Sequence, residues 1–191
     1  MGKIVIIGAG AMGTAFAYPC IDNKHEVSIV GTHLENKSIE ELNKNSFHPA
    51  LNLQVNKSIK FFKHNYIKDV FKTFPDLIVI GVSSKGVEWI AEELEKISKN
   101  GKLPNLLMLT KGLSINGKNY ELLVDKLERL LSSRGIKNIN LSAVGGPCLA
   151  PGLANRVHSG VVVANKNLET ANSLVKMLST YYYHVSASSD I

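Results

Sequence analysis

An unbroken apolar run, Ile4-Val5-Ile6-Ile7 after Lys3, leads straight into Gly8-Ala9-Gly10-Ala11-Met12-Gly13. Such a run reads as a parallel strand covered on both faces, and glycines at G-x-G-x-x-G spacing read as the turn that converts it into a helix. In that arrangement Gly8 permits the tight turn, Gly10 lets the backbone approach a diphosphate, and Gly13 lets the helix lie close on the strand. The diphosphate rests on the helix N-terminus, where unpaired N–H groups and aligned peptide dipoles favour an anion. The motif therefore predicts a dinucleotide cofactor held by a βαβ unit.

The rest of the chain repeats the alternation that builds a parallel sheet with helices on both faces. A helix is expected from about Met12 to Asn23, a strand at Glu26 to Val30, and a second unit with strands at Asp76 to Ile80 and Leu106 to Leu109 around a helix from Gly86 to Lys99. A helix near Tyr120 to Ser133, a strand at Ile139 to Val144 and a Gly-Pro-rich loop from Gly145 to Gly152 follow. A strand at Gly160 to Ala164, a helix from Leu168 to Leu178 and a strand at Tyr182 to Ala187 complete the series. Between Gly31 and Phe74 the periodicity is weak, with an amphipathic stretch at Ser38 to Asn45, a turn at His48-Pro49 and no clear element type from Leu53 to Phe62. The fold expected is a doubly wound α/β domain of Rossmann type, mainly parallel, occupying residues 1–191. The final Val185 to Ile191 segment has neither a capped helix nor a polar tail and reads as a cut at a domain boundary.

Composition narrows the partners. With 45% hydrophobic and 20% charged residues over 191, the chain has the make-up of a globular protein with a sizeable core. Its net charge of +6 is scattered, without a run of like charges or interleaved aromatics, so phosphate-bearing small ligands fit better than nucleic acid. No apolar run approaches the roughly 20 residues that span a bilayer. Cys20 and Cys148 lie far apart and form no C-x-x-C pair, which suggests neither a zinc site nor a disulfide framework and fits a reducing cytoplasm.

Several strand ends carry the candidate chemistry. After the second strand, Gly31-Thr32-His33-Leu34-Glu35 shows no acid at the strand end and no arginine; NAD or NADP is the expected cofactor, and the small turn suits the 2′-phosphate of NADP somewhat better. Ser83 and Ser84, in Gly81-Val82-Ser83-Ser84, are expected to line the cofactor or to cap the next helix. Lys111, in Thr110-Lys111-Gly112, projects a cation from a strand mouth into the crevice, where it can stabilise negative charge developing on a substrate oxygen. The Gly146-Pro147-Cys148-Leu149-Ala150 loop offers backbone amides to a polar ligand, and Cys148 is read as a small packed thiol rather than a nucleophile served by His158. His48 is read as a loop residue and Trp89 as packing.

Together the glycine motif, the His48-Pro49 loop, Gly81-Val82-Ser83-Ser84, Thr110-Lys111-Gly112-Leu113 and the Gly146 to Ala150 loop resemble NAD(P)-dependent glycerol-3-phosphate dehydrogenase, over nearly the whole chain. The resemblance implies that Ala11 and Met12 contact the cofactor diphosphate, Thr32 the adenosine end, and Ala150 the dinucleotide again. It implies that Lys111, Gly146 and Cys148 face sn-glycerol 3-phosphate, with Lys111 both catalytic and close to the cofactor. Cys148 departs from the Ser or Thr expected there. The family continues into a helical substrate domain that carries the principal catalytic lysine and has no counterpart here, so the partners implied are a small phosphorylated substrate, that second domain and a second copy in a homodimer. Another reductase on the same fold, of the 3-hydroxyacid dehydrogenase or ketopantoate reductase type, and a non-catalytic dinucleotide-sensing module remain alternatives.

Overall fold

A computed structural model describes residues 1–191. β1 (Lys3–Ile7) passes through the glycine turn into α1 (Ala11–Asp22) and back to β2 (Glu26–Val30). The poorly patterned region resolves into α2 (Asn36–Asn45), a small hairpin of β3 (Phe47–His48) and β4 (Leu53–Gln54), β5 (Lys60–Phe62) and the single turn α3 (Ile67–Val70). The second half holds β6 (Leu77–Ile80), α4 (Val87–Ile97), β7 (Asn105–Met108), β8 (Leu113–Asn116), β9 (Asn119–Leu122), α5 (Leu123–Ser133) and β10 (Leu141–Gly145). It is followed by α6 (Ala150–Ala154), β11 (Ser159–Ala164), α7 (Leu168–Leu178) and β12 (Tyr183–Ser188).

The eight-stranded sheet runs β12-β11-β10-β7-β6-β1-β2-β5. From β5 to β10 every neighbour is parallel, and the order β5-β2-β1-β6-β7-β10 is that of two mononucleotide-binding halves joined at β1. β11 pairs antiparallel with β10, and β12 runs parallel to β11. The mainly parallel, doubly wound reading of the sequence therefore holds. Alternation along β1 sorts its apolar residues to the two faces. Ile4 and Ile6 join a core with residues of α1, α6 and α7, whereas Val5 and Ile7 join one with α4 and α5. β5 closes one edge with lysines, Lys60 pairing with Glu26 at 2.7 Å and Lys63 with Glu40.

Two local expectations are corrected. The helix expected from Tyr120 starts at Leu123, because Leu113–Leu122 forms a β8–β9 hairpin around a two-residue turn whose first residue, Gly117, has φ +63°. The Gly145 to Gly152 stretch is no plain loop either, since α6 begins within it at Ala150. In the hairpin the polar side is latched to α5, with Glu121 accepting from Arg129 at 2.7 and 3.2 Å and from Ser114 at 3.0 Å, while Leu113, Ile115 and Tyr120 are exposed.

α1 is pinned to the far edge of the sheet by a polar cluster at its C-terminus. Arg156 donates to both Asp22 carboxylate oxygens at 2.8 and 2.9 Å, and the Tyr182 hydroxyl adds a third bond at 2.8 Å. The guanidinium contact, helped by the Tyr182 hydroxyl, holds the Asp22 carboxyl below its ordinary range against the opposing effect of burial. A carboxylate depressed on folding stabilises fully above its unfolded pKa of about 4 and loses that contribution as pH falls through the lower folded value. Asp22→Asn should therefore cost about 1 kcal/mol at pH 7, discounted for partial exposure, and the wild-type advantage should shrink towards pH 3. Melting curves of both proteins at the two pH values check this; an advantage that does not change with pH would leave the ion pair without a role.

Candidate functional site

The chain order reverses at β1, so the crevice for a ligand opens at the carboxyl ends of β1 and β6. Three glycines interlock there. A Cβ on Gly8, whose φ is +113°, would lie 2.6 Å from the Gly81 carbonyl oxygen; one on Gly13 would lie 2.2 Å from the Gly8 carbonyl oxygen; one on Gly81 would lie 3.2 Å from the Gly13 Cα. Gly10 is different. Its φ of −69° and ψ of 178° suit any residue, and the nearest atom to its would-be Cβ is a Glu35 carboxylate oxygen at 3.8 Å. Steric closeness within the protein therefore explains Gly8, Gly13 and Gly81, and leaves the space above Gly10 for a ligand at the N-terminus of α1.

That space is a cavity of about 570 Å³. Gly10, Ala11 and Met12 form one wall, Thr32, His33, Leu34 and Glu35 the second, and Gly81, Val82, Ser83, Lys85, Gly86 and Trp89 the third. Ser83 makes no side-chain cap to the helical turn that follows, so its hydroxyl is free for a ligand, whereas Ser84 starts that turn and does not line the cavity. Gly8 and Gly13 act from behind the wall. The backbone donors of α1's first turn have no partner four residues back, and the arrangement suits a dinucleotide diphosphate.

Two residues of this cavity were missed by sequence reasoning. The expectation of no carboxylate at the end of β2 is wrong in space: Thr32 to Glu35 form a turn, with Glu35 N–H donating to the Thr32 carbonyl at 3.0 Å, and this brings the Glu35 side chain back to the strand end. There it accepts from Thr32 N–H at 2.7 Å and Ala9 N–H at 3.0 Å. Its position, 22 residues past Gly13, was the available signal. Trp89, read as packing, stands on the cavity wall with its ring 5.3 Å from His33 and 5.4 Å from His64. Beneath it, buried Glu93 lies 3.1 Å from His64 Nε2 and accepts from Lys96 at 2.8 Å; burial pushes its carboxyl up, and Lys96 together with the adjoining His64 outweighs that and holds it below its usual range.

Lys111, Gly146, Cys148 and Ala150 do not line this cavity. They follow the carboxyl ends of β7 and β10, the next strands along the same edge. The Lys111 side chain is exposed, and the residue before it is tied to the segment that follows β6 by the Thr110 hydroxyl, which donates to the Val82 carbonyl at 2.5 Å. Gly146 has φ +120°, and a Cβ there would lie 3.0 Å from the Gly160 carbonyl oxygen. Cys148 is half-buried against the core on the α1 side, and Ala150 is buried at the start of α6. His158 pairs with His184 at 3.1 Å, not with the Cys148 thiol.

Comparison with known proteins matches residues 3–171 to the family described as NAD-dependent glycerol-3-phosphate dehydrogenase N-terminus. The chain is 27% identical to the NADP(+)-dependent glycerol-3-phosphate dehydrogenase of Archaeoglobus fulgidus, covering 98% of this chain and 54% of that protein. It is 27% identical to the glycerol-3-phosphate dehydrogenase [NAD(P)+] of Mesoplasma florum, covering 99% of this chain and 54% of that one. Among solved structures, glycerol-3-phosphate dehydrogenase from Coxiella burnetii superposes with a TM-score of 0.83 at 19% identity, over 100% of this chain and 55% of that one. A ketopantoate reductase from Ralstonia eutropha superposes less closely, at 0.66 and 16% identity, a likeness of fold alone. The chain thus spans about half the length of the curated relatives it matches. With its glycine interlock, its α1 cradle and the match over residues 3–171, the chain belongs to the N-terminal, NAD(P)-binding family of glycerol-3-phosphate dehydrogenases.

Proposed function

We propose that this chain is the cofactor-binding part of an NAD(P)-dependent enzyme that interconverts dihydroxyacetone phosphate and sn-glycerol 3-phosphate. The observation that carries the reading is the free space over Gly10 amid three glycines locked against one another, at a helix N-terminus and on the wall of the largest cavity described. Gly10, Ala11 and Met12 hold the diphosphate, Thr32 and Glu35 the adenosine ribose, and His33 and Trp89 flank the base. The dinucleotide then extends along the carboxyl edge past Ser83 towards Ala150. NAD(H) and NADP(H) are both accommodated: the turn at Gly31 to His33 is small and Lys85 offers a counter-charge to a 2′-phosphate, while the Glu35 carboxylate opposes one.

When bound, the nicotinamide supplies or accepts the hydride. The chain's own residues orient and polarise. Lys111 sets an ammonium against the ketone oxygen of the substrate and stabilises the charge that grows there, and the backbone of the Gly146 loop bonds the substrate's polar groups. Cys148 contributes packing, since a thiol donates weakly. The partners are the phosphorylated substrate, a second domain that encloses it and a second copy of the chain. No helix is long and apolar enough to cross a membrane. The unpaired Cys20 and Cys148 suit the reducing cytoplasm in which we place the protein.

Trp89 is the only tryptophan in the chain, so its emission, which overlaps NADH absorption, reports cofactor binding directly. Titration of the 191-residue chain with NADH should quench it and sensitise nicotinamide fluorescence. The same preparation should not oxidise NADH with dihydroxyacetone phosphate at enzymatic rates of about 1 per second or more, because half of the relatives' length is missing. No quenching would sink the cofactor site; full turnover would sink the assignment of the chain as one part of the enzyme.

A further inference from the structure

His48, expected to be an ordinary loop residue, is buried in the β3–β4 hairpin directly behind the glycine motif. Its Nε2 lies 3.1 Å from the Ala9 carbonyl oxygen, and its Nδ1 lies 3.3 Å from the Leu51 amide nitrogen. These partners set the tautomer. The carbonyl requires a proton on Nε2, and the Leu51 N–H requires a lone pair on Nδ1, so Nε2–H donates to Ala9. The residue before the bond is held as well, since Ala9 N–H donates to Glu35 at 3.0 Å. Ala9 thus has both backbone groups fixed by side chains from outside the motif, α2's N-terminal flank on one side and the hairpin on the other.

The consequence follows from peptide planarity. In a trans peptide the carbonyl of Ala9 and the N–H of Gly10 point in opposite directions, so anchoring the carbonyl on His48 turns the Gly10 N–H away from the hairpin. That N–H makes no hydrogen bond within the chain. Gly10 tolerates a wide range of backbone angles, which leaves the Ala9-Gly10 peptide free to flip unless something holds it. A flipped peptide would present a carbonyl oxygen to the anion in place of a donor. Thr14 Oγ1 also donates to the Ala9 carbonyl, at 3.3 Å, the longer of the two side-chain bonds, so His48 supplies the shorter one and the only one from outside the motif and its helix.

We propose that His48 is a positioning residue for the dinucleotide diphosphate: its Nε2–H holds the Ala9-Gly10 peptide in the orientation that aims the Gly10 amide at the phosphate. The proposal rests on the cofactor site described above and adds a residue outside the glycine motif to it. Its distinguishing property is selectivity among ligands. Losing the His48 donor weakens ligands that carry a diphosphate and spares those that do not.

The test uses the 191-residue chain, with NADH and ADP as diphosphate probes and adenosine as the probe lacking one, titrated by Trp89 emission and calorimetry. His48→Leu should weaken NADH and ADP by about tenfold or more while adenosine changes less than about threefold. His48→Gln, whose amide N–H can donate to the same carbonyl, should recover most of the lost affinity. Unchanged NADH binding by His48→Leu would overturn the proposal, as would equal losses for adenosine and ADP, which would mark a general packing role. If His48→Leu does not fold, the comparison passes to His48→Gln and His48→Asn. A shorter Asn that binds ADP as well as Gln does would then overturn it. Failure of the wild-type chain to bind NADH at all would instead strike the cofactor reading itself.

Discussion

Gly10→Val will leave the chain folded, with a melting temperature within a few degrees of the parent, yet will weaken NADH binding by about 100-fold or more. The new side chain meets no protein atom closer than the Glu35 carboxylate, so the fold has no reason to object, and the space it fills is the space over the α1 N-terminus. Gly13→Val makes the opposite experiment. Its Cβ would sit 2.2 Å from the Gly8 carbonyl oxygen, a backbone clash that no rotamer relieves, so a loss of about 3 kcal/mol or more of stability is expected. Chemical denaturation and cofactor titration of both variants separate the two roles. A Gly10→Val chain that unfolds, or one that binds NADH normally, would refute the cradle.

Lys111→Met, in an enzyme that also carries the second half, will lower kcat/KM for dihydroxyacetone phosphate by about 100-fold or more while the NADH dissociation constant stays within about threefold. Methionine keeps much of the stem and removes the charge, and removal of one preorganised donor to a developing oxyanion costs about 3 kcal/mol. Lys111 stands past the carboxyl end of β7, two strands from β1 and outside the cavity that holds Gly10. The residues around Gly10 that hold the diphosphate and adenosine are therefore untouched, and the cofactor should keep most of its affinity. Arginine should rescue poorly, because a planar fork does not replace a point charge. Steady-state rates and calorimetric binding on one preparation decide it; equal losses in both would reassign Lys111 to the cofactor.

The parallel half of the sheet was legible because its strands are buried on both faces and therefore written as near-continuous apolar runs, Ile4 to Ile7 and Leu77 to Ile80 among them. The β8–β9 hairpin was also written in the chain, as Leu-Ser-Ile-Asn-Gly-Lys-Asn-Tyr-Glu-Leu, but its apolar residues alternate towards solvent and its second strand runs directly into α5. A helical reading from Tyr120 absorbed it. Glu35 and Trp89 escaped for another reason. Each acts through a tertiary return of the chain, Glu35 by a four-residue turn and Trp89 across the crevice from His33, and neither return has a periodicity. His48 sits in the stretch with the weakest pattern, where two-residue strands leave no period to detect.

The reversal of direction between β10 and β11 has a practical outcome. Because β11 and β12 run against the other six strands, Ser188 ends beside Ala164, on the rim where β10 begins and from which Lys3 starts β1. Met1 and Ile191 therefore both adjoin strand ends on the rim opposite the glycine motif, which stands across the sheet by the length of β1, roughly 17 Å. An affinity tag or a surface tether at either terminus would orient the molecule with its cofactor edge towards solution. Immobilised chains should then bind NADH with the same affinity as free ones, whichever end is attached.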